Sequence, residues 1–382
     1  MNSLRDICDY VVTRTNIIEN YISTENMLPN KGGVCDTLKV PSGGIGTKYQ
    51  VGDILISNIR PYFKKIWQAD CEGACSTDVL CLRANENVDS RFLYYLLTQQ
   101  SFFDYVMSGT KGCKMPRGDK QQIMQWHIYL PSLVEQKKIA GVLSTLDAKI
   151  QLNRRINDNL EQQAQALYKS WFVDFEPFKD GEFIESELGK IPEGWQCIPF
   201  SMFVTESKAK TGKIGIKEYS VTNNGIFPRD AKYNKSLSQS STKNKLILYG
   251  DLVFGMSRDI LNWGVMQEEQ GGVSSAYTVY NINSGIVNST YLELFIKSRI
   301  HIFSDLIRPA AREGQGIDKS VLQTKVLLYP PQEVLDTFWP LYNSVTNQIQ
   351  TTTTEINCLG DVRDTLLPKL MSGEIKINEI DC

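Results

Sequence analysis

A short motif occurs twice in this chain, nearly half its length apart. Residues 51–60 read VGDILISNIR and residues 249–258 read YGDLVFGMSR, so a Gly-Asp pair, an apolar run and an arginine recur in the same order. Further pairs of similar segments follow at nearly constant offset: CST and VSS, FLYYLL and YLELFI, HIYLPSLVEQ and KVLLYPPQE, and LYKSWF and LLPKLM. The period is about 199 residues, far above that of solenoid repeats. The sequence therefore predicts a duplicated domain.

Length and composition favour a soluble protein with more than one domain. The 382 residues exceed what a single hydrophobic core usually holds. Apolar residues make up 42% of the chain, and the sequence contains no run of about eighteen apolar residues, the length needed to span a membrane. The first residues, MNSLRDICDY, lack the pattern of a secretion signal, and the nine cysteines show no disulfide-framework spacing. We therefore expect a cytoplasmic protein with free thiols.

Charge is segregated along the chain, although the net charge is only -2. Residues 174–193 are rich in acids, whereas residues 205–245 contain nine lysines or arginines against three acids. A second basic segment, GTKGCKMPRGDK, covers residues 109–120. Such segments can present positive faces to phosphate groups, although solvated lysines on surface loops are the commoner outcome.

The pattern predicts an α+β chain in which two similar mixed α/β domains alternate with two long helices. GDILISNI and GDLVFGMS each suggest a turn that leads into a buried strand, and SAYTVYNI suggests an alternating strand. SRFLYYLLTQQSFFDYV suggests short helices. The predicted boundaries are 1–131 and 190–330 for the two domains, and 132–178 and 331–382 for the two helices, the second with a tail.

Each long helix carries apolar residues at alternating spacings of four and three, which is typical of a coiled-coil seam. A helix of about 40 residues would be ~60 Å long. Both seams turn polar in the middle, so antiparallel pairing would bring Asn153 and Asn157 opposite Gln348 and Thr352, where buried polar residues fix the register. Alternatively, each helix packs on its own domain and its polar middle faces water. The predicted pairing residues are Leu143, Leu146, Ile150, Asn153, Asn157, Leu160, Leu341, Val345, Gln348, Thr352, Leu359 and Val362.

Two similar domains joined by a rigid helix pair would give the chain approximate two-fold symmetry. A DNA duplex has the same kind of symmetry. Symmetric proteins read two half-sites at a separation that protein geometry sets, commonly about one turn, ~34 Å. A helix pair of this length could act as that spacer.

Segments at the ends of both halves resemble a known family. They are LPSLVEQKKIAGVLSTLDAKIQLNRRINDNLEQQAQALYKSWFVDFEPF, LLPKLMSGEIKI and LGKIPEGW, the last of which has no counterpart before the first domain. With its tandem layout, the whole chain resembles the specificity (S) subunits of type I restriction–modification systems. The resemblance implies two target recognition domains that each read one half of a split DNA sequence. It also implies helices that set the spacer and dock two methyltransferase subunits.

The resemblance further implies cofactors that lie outside this chain. The methyltransferase subunits would bring S-adenosylmethionine, flip an adenine in each half-site and methylate it. Restriction subunits, which translocate and cleave DNA, would add ATP and magnesium. Double-stranded DNA would be the ligand of this chain itself, and no membrane partner is expected.

Candidate DNA contacts follow the two signature strands or lie in the basic segments. Arg, Lys, Asn and Gln side chains supply bidentate contacts to base edges, and lysines neutralise phosphates. For Arg60 and Arg258 the alternative is a structural salt bridge that recurs because the fold recurs. The candidates are Asn58, Arg60, Tyr62, Lys64, Lys65, Lys111, Lys114, Arg117, Lys208, Lys210, Lys213, Ser257, Arg258, Asn262, Arg312, Gln315 and Lys319.

Motifs for chemistry within this chain are missing or incomplete. YPPQ lacks the flanking residues of an adenine methyltransferase loop, and GGIGTK lacks the residue order of a phosphate-binding loop. Cys71, Cys75, Cys81 and Cys113 could bind zinc with His127, but their spacing matches no standard pattern. We therefore expect a non-catalytic DNA-binding subunit with no metal and no cofactor of its own.

Two other classes of function stay open at this point. One is a stand-alone nuclease or modification enzyme whose catalytic residues escape recognition. The other is a scaffold protein that assembles through its helices and whose basic segments are incidental. Sequence-selective, salt-dependent DNA binding would separate both from the expected function.

Overall fold

The structure, a computed structural model, forms two units. Unit 1 contains Met1–Asn159 together with Gln348–Cys382, and unit 2 contains Leu160–Asn347. Both ends of the chain therefore belong to unit 1. The structure describes residues 2–16, 19–35, 45–110, 114–212, 215–229, 241–257, 260–307 and 317–377.

Antiparallel strands form the sheets of unit 1. Its described strands are β1 (Asn2–Ser3), β2 (Cys8–Tyr10), β3 (Arg14–Thr15), β4 (Gly46–Tyr49), β5 (Ile54–Ser57), β6 (Ile66–Gln68), β7 (Gly73–Cys75), β8 (Val79–Ala84) and β9 (His127–Ile128). The largest sheet has four strands in the order β2-β8-β5-β6. Strands β3-β4-β7 form a second sheet, and β1 pairs with β9.

Helices cover the apolar face of the four-stranded sheet in unit 1. Phe92, Leu93 and Leu96 of the first helix are buried in one core with Ile54 and Leu82 of the sheet. Burial of such side chains is the main stabilising term, at about 25 cal/mol per Å² of apolar area. The helices are α1 (Ser90–Leu97), α2 (Gln100–Ser108), α3 (Lys120–Ile123) and α4 (Leu133–Phe172), with 3-10 turns at Leu4–Asp6 and Pro61–Phe63.

Unit 2 has the same kind of antiparallel framework. Its described strands are β10 (Phe183–Ser186), β11 (Gly189–Pro192), β12 (Gln196–Pro199), β13 (Val204–Ser207), β14 (Tyr219–Thr222), β15 (Gly225–Pro228), β16 (Lys245–Leu248), β17 (Leu252–Ser257), β18 (Ile260–Val265), β19 (Gln270–Val273), β20 (Thr278–Ile282) and β21 (Val326–Tyr329). Its four-stranded sheet has the order β13-β20-β17-β18. The pairs β12-β21, β14-β15, β16-β19 and β10-β11 complete the set.

The helices of unit 2 also follow the plan of unit 1. One helix after the central sheet, capped by Asn288, buries Tyr291, Leu292 and Phe295 against that sheet. The helices of unit 2 are α5 (Phe200–Phe203), α6 (Ser289–Ser298), α7 (Lys319–Thr324) and α8 (Gln332–Ser372), with 3-10 turns at Glu176–Phe178, Ser241–Lys243 and Ile300–Leu306.

The predicted duplication is confirmed by the sheet topology. Strands β13, β20, β17 and β18 take the places in their sheet that β2, β8, β5 and β6 take in theirs. The signature segments form the central strands β5 and β17, as the apolar runs predicted. The mixed α/β fold in two copies, each followed by a long helix, is therefore the architecture of the chain.

The repeated Gly-Asp pair closes the turn before each central strand. Gly52 and Gly250 have φ angles of 91° and 82°, which glycine adopts without steric cost. The following carboxylates accept backbone hydrogen bonds from three residues earlier, Asp53 from Gln50 N at 2.9 Å and Asp251 from Leu248 N at 2.8 Å. The motif recurs because each sheet needs this turn, whose buried polar groups must be paired.

Within unit 1, α4 and α8 pair in the antiparallel direction. Asp147 accepts a hydrogen bond from Arg363 at 2.7 Å, and Asn153 Nδ2 donates to Glu355 Oε2 at 2.9 Å. Residue numbers that rise along α4 therefore meet numbers that fall along α8. The predicted antiparallel coiled coil is confirmed in this unit.

The partners in the polar middle differ from the predicted ones. Asn153 was expected opposite Gln348 or Thr352 and contacts Glu355 instead. Asn157 Nδ2 donates to Thr353 Oγ1 at 2.9 Å. Thr352 is buried, but its hydroxyl donates to the Gln348 carbonyl one turn earlier in its own helix. The polar residues do meet, although at a different register.

Within unit 2, the same two helices meet through aromatic side chains. The ring of Phe338 lies 4.6 Å from that of Phe172 and 5.7 Å from that of Trp171, between centroids. Tyr342 stacks on the Phe338 ring, and Tyr168 meets that ring edge-on. Higher numbers in α4 again meet lower numbers in α8, which is antiparallel pairing.

The predicted seam of α4 coincides with its buried face. Leu143, Ile150, Asn153 and Leu160 are buried, while Leu146 and Asn157 are half-buried. Spacings of four and three residues account for this face from Leu143 to Leu160, whereas the buried residues that follow, Ala164, Tyr168 and Phe172, are spaced by four. In α8, Val345, Thr352 and Leu359 are likewise buried or half-buried.

At every other position the seam predicted for α8 was wrong by one residue. Leu341 and Val362 are 48% and 41% exposed, and Gln348 is exposed too. From Phe338 onward the order of the spacings is four then three, the reverse of the predicted order, and one residue rotates a side chain by about 100° around a helix. The half-buried residues at these positions are Tyr342, Ile349, Ile356 and Arg363.

Two classes of feature are not found within the described residues. No helix there has both the length and the apolar character needed to cross a membrane. No group of three His, Cys, Asp or Glu side chains there could hold a metal ion. Of the zinc candidates, Cys71, Cys75 and Cys81 are free thiols, and Cys113 lies outside the described residues.

Candidate nucleic-acid interface

The segment after β5 forms a tight, strained turn on unit 1. Arg60 and Lys64 both have φ of 51°, in the left-handed region that non-glycine residues rarely occupy. Between them, Pro61–Phe63 form one 3-10 turn, and Pro61 fits its first position because its φ is preset. The turn projects the residues that follow the signature strand out of the sheet.

Backbone hydrogen bonds from two other segments hold this turn. Arg60 N donates to Pro116 O at 2.8 Å. Asn30 N donates to Phe63 O at 2.8 Å, and Lys31 N donates to Lys64 O at 2.9 Å.

Asn30 and Lys31 are themselves left-handed, so four of the six non-glycine positive-φ residues in the described chain lie here. Such strain costs on the order of 1 kcal/mol per residue and concentrates at functional sites.

The turn presents both aromatic and cationic side chains to solvent. Tyr62 and Phe63 are 47% and 39% exposed, and the neighbouring Met115 is 49% exposed. Arg60 and Lys114 are exposed, and neither forms an ion pair within the described ranges. Together these five residues form what we call the turn surface of unit 1.

Other candidate residues near the turn surface have partners inside unit 1. Lys64 Nζ donates to Gln100 Oε1, and Arg117 pairs with Asp78 at 3.1 Å. Both partners lie at the surface, so these cations remain accessible to an anion.

Two candidates beside the turn have structural roles. Lys65 Nζ donates to the Thr24 carbonyl at 2.6 Å, and burial lowers the pKa of this lysine. The side-chain oxygen of Asn58 is buried and accepts no hydrogen bond from the described residues. Lys65 therefore braces a backbone segment, and the Asn58 side-chain oxygen is turned away from solvent; their roles as DNA contacts stay predictions.

Unit 2 carries a second cationic cluster at the edge of its central sheet. Lys208 and Lys210 are exposed just after β13. The Lys210 backbone bridges that of Lys245, and Leu246 N donates to Ala209 O at 3.0 Å, so two basic segments meet. Lys208, Lys210 and Lys245 of the basic run therefore lie close together.

A single acid lies among these lysines. Glu206 Oε1 accepts from Lys319 Nζ at 2.6 Å, which holds the pKa of this carboxyl below its usual value. Burial lowers the pKa of Lys245, opposed by Glu206 and reinforced by Lys319 and Lys208. Cations that depress one another in this way would be relieved by a bound phosphate.

Of the remaining candidates, two lie in strands of the central sheet and the others lie outside the described residues. Asn262 is only 8% exposed, because it lies in β18 opposite Gly255 in the central sheet, and its role as a base contact stays a prediction. Ser257 ends β17 with its backbone paired to Ile260. The candidates outside the described ranges are Lys111, Lys213, Arg258, Arg312 and Gln315.

Comparison with known proteins points to one family. The sequence pattern of the type I restriction modification DNA specificity domain matches residues 8–162. The specificity subunit of the type I restriction enzyme MjaIX, from Methanocaldococcus jannaschii, is 27% identical over 311 residues, which are 77% of this chain and 71% of that protein. The specificity subunit of the type I restriction enzyme HindI, from Haemophilus influenzae, is 32% identical over 167 residues, 42% of this chain and 36% of that protein.

The chain is thus similar in sequence to specificity subunits of type I restriction–modification systems. Solved structures are similar to it at the level of fold. A chain from a study of complex assembly and conformational transition of the type I R-M system is 16% identical, with a TM-score of 0.51 over 98% of this chain and 97% of that one. The S subunit of a type I system from M. genitalium is 13% identical, with a TM-score of 0.51 over 97% and 95%.

Several residues of the candidate interface were missed by reasoning from sequence. Phe63, Met115 and Lys31 reach the turn surface or support it, and Lys245 joins the cluster of unit 2. The adjacent aromatics YF between two basic residues were a usable signal for Phe63. No sequence signal identifies Lys31, because its place depends on a backbone contact across 33 residues.

Proposed function

We propose that this chain is the sequence-specific DNA-recognition subunit of a type I restriction–modification complex. Each unit reads one half of a bipartite target. The observation that carries the proposal is the duplicated domain. In each copy, a cationic surface lies beside the corresponding four-stranded sheet. Two copies of one reader suit the two-fold symmetry of duplex DNA.

The charges on each head divide into two roles. Exposed lysines such as Lys114, Lys208 and Lys210 neutralise phosphates, which provides affinity but little sequence information. Arg60 offers the forked donors that recognise guanine in the major groove, and it is held in a braced turn rather than on a loose loop. Sequence selection therefore depends on the turn surface more than on the lysines.

The catalytic chemistry belongs to partner subunits. Two methyltransferase subunits bring S-adenosylmethionine and methylate an adenine in each half-site, and restriction subunits add ATP-driven translocation and cleavage with magnesium. The relatives are named as specificity subunits of restriction enzymes, which supports this division of labour. The antiparallel helices set the number of base pairs between the two halves of the target.

Mapping of methylated adenines tests the proposal directly. The chain is co-expressed with its methyltransferase subunits in a host without other adenine methylation, and genomic adenines are mapped by long-read sequencing. We expect one gapped motif with a methylated adenine in each half, and no methylation when this chain is omitted. Methylation without a motif, or cleavage or methylation by the purified chain alone, would contradict the proposal.

A further inference from the structure

The turn surface of unit 1 exposes two adjacent aromatic rings. Tyr62 and Phe63 are 47% and 39% exposed, and their ring centroids lie 4.6 Å apart at an interplanar angle of 51°. The two rings contact each other at the surface, whereas Phe102 and Phe103 of the same unit pack in its core. With Met115, they form a small apolar patch at the tip of a turn.

The backbone beneath these rings is held rigidly. The turn begins and ends at left-handed residues, Arg60 and Lys64, and three backbone hydrogen bonds of 2.8 to 2.9 Å tie it to residues 30, 31 and 116. A strained conformation persists only where its surroundings enforce it. The side chains of Tyr62 and Phe63 are therefore presented at a fixed place rather than on a mobile loop.

The surroundings of the patch indicate the kind of partner. Arg60, Lys64 and Lys114 are close in sequence to the residues of the patch, and the backbone of Arg117 bridges that of Ile59. An apolar tip ringed by cations suits a polyanion with an apolar interior. Stacked base pairs between two phosphate backbones have this composition.

We propose that Tyr62 and Phe63 form a wedge that enters the base stack of the half-site read by unit 1. The rings partly unstack one base step, while Lys64 and Lys114 hold the flanking phosphates. Deforming that step costs more for some sequences than for others, so the wedge selects sequence at a position without a base-edge contact. This inference rests on the proposed DNA-reading function and adds to it a mechanism of selection.

The test uses the full chain assembled with its methyltransferase subunits and a duplex of the mapped target. 2-Aminopurine, which fluoresces when unstacked, replaces one base at a time across both halves. We expect a fluorescence rise at one step, which the double variant Tyr62→Ala, Phe63→Ala abolishes. That variant should bind about 10- to 100-fold more weakly, the effect of losing base stacking on aromatic side chains.

Salt dependence separates the wedge from the cations around it. The double variant should keep the wild-type slope of log affinity against log salt, because no phosphate contact is lost. Lys114→Gln should reduce that slope by about one phosphate while the fluorescence rise persists. Phe63→Leu, which keeps an apolar wedge, should retain most of the affinity.

Controls distinguish the other outcomes. Tyr249→Ala removes a 61% exposed tyrosine of unit 2 and should leave both affinity and fluorescence unchanged. Specific binding by the wild type with no unstacked step would overturn the wedge and leave the proposed function intact. Loss of methyltransferase assembly in the double variant would instead assign the patch to a protein partner. Absence of specific binding by the wild-type complex would overturn both proposals.

Discussion

The same two helices are held together by different chemistry in the two units. In unit 1 their contact includes the Asp147–Arg363 ion pair at 2.7 Å and the Asn153–Glu355 hydrogen bond. In unit 2 it is a cluster of aromatic rings around Phe338, which is fully buried. Apolar packing contributes free energy without strict geometry, whereas buried polar pairs contribute little net stability and favour one register.

The two Gly-Asp turns show the same division between units. Asp53, 1% exposed, accepts two hydrogen bonds of 2.7 Å from the fork of Arg83. Asp251, 5% exposed, accepts one from the amide of Asn281 at 2.8 Å. Duplication preserved the turn but not the way in which its buried carboxylate is satisfied.

The largest effect should come from the aromatic centre of unit 2. Phe338→Ala leaves a cavity among Phe172, Trp171 and Tyr168, and we expect a loss of about 3–5 kcal/mol in the free energy of unfolding. Unfolding in urea, monitored through the hydrogen exchange of peptides from unit 2, measures this loss of free energy. Phe338→Leu, the matched control, should cost about 1.5 kcal/mol or less. Equal losses for the two variants would mean that the site collapses without a cavity.

Neutralising the two turn carboxylates should have unequal effects. Asp53→Asn turns an amide NH2 toward the donors of Arg83, and we expect a loss of about 2–3 kcal/mol in unit 1. Asp251→Asn can exchange hydrogen bonds with Asn281 after a flip of either amide, so we expect less than about 1 kcal/mol in unit 2. Hydrogen exchange resolved by peptide reports each unit separately. Similar losses in both units would refute the contrast between their carboxylate environments.

Replacing the polar seam of unit 1 should stabilise the helix pair and loosen its register. With Asn153→Leu and Thr352→Leu, two buried polar side chains become apolar, and we expect a gain of about 1–2 kcal/mol. Glu355 loses a donor but keeps solvent and Lys149.

Cross-linking measures the register of this double variant. In a Cys358→Ser background, paired cysteines at Asn157 and Thr353 report the native register, and cysteines at Asn157 and Gly360 report a shift of one heptad. We expect the shifted cross-link to form only in the double variant. A loss of stability with no shifted cross-link would show that the polar residues contribute packing rather than specificity.

The smallest effect concerns pH. Burial raises the pKa of Asp251 above its ordinary value of 3.8, with the Leu248 amide and Asn281 opposing the shift. Between pH 3.8 and that raised pKa, the folded state therefore holds a proton that the unfolded state has released. The carboxyl adds stability to unit 2 as pH falls through its raised pKa toward 3.8, and that stability is lost as pH rises. This pH-dependent contribution should be under about 1 kcal/mol, and Asp251→Asn should remove it from curves of unfolding free energy against pH. An unchanged pH dependence would contradict the prediction.

Some parts of the candidate site were predictable from sequence, and the reasons are local. The exposed residues Arg60, Tyr62, Lys208 and Lys210 were among the sequence candidates because turn chemistry and charge runs can be read from neighbouring letters. The surroundings of Lys65 and Asn262 could not be read in this way, because they depend on the Thr24 carbonyl and on a neighbouring strand. A basic or polar letter does not reveal whether its side chain meets solvent or a distant carbonyl.

The sequence by itself determined the duplication, the Gly-Asp turns with the central strand after each, the two long helices and the seam of α4 from Leu143 to Leu160. These depend on short-range patterns, namely glycine where φ is positive, apolar runs in strands and four-three spacing in a helix. Only the tertiary structure decided which face of α8 is buried, since Leu341 and Tyr342 both fit an apolar seam and the partner helix selects between them. It also decided the strained turn that presents Phe63, because backbone contacts from residues 30, 31 and 116 stabilise a conformation that the local sequence disfavours.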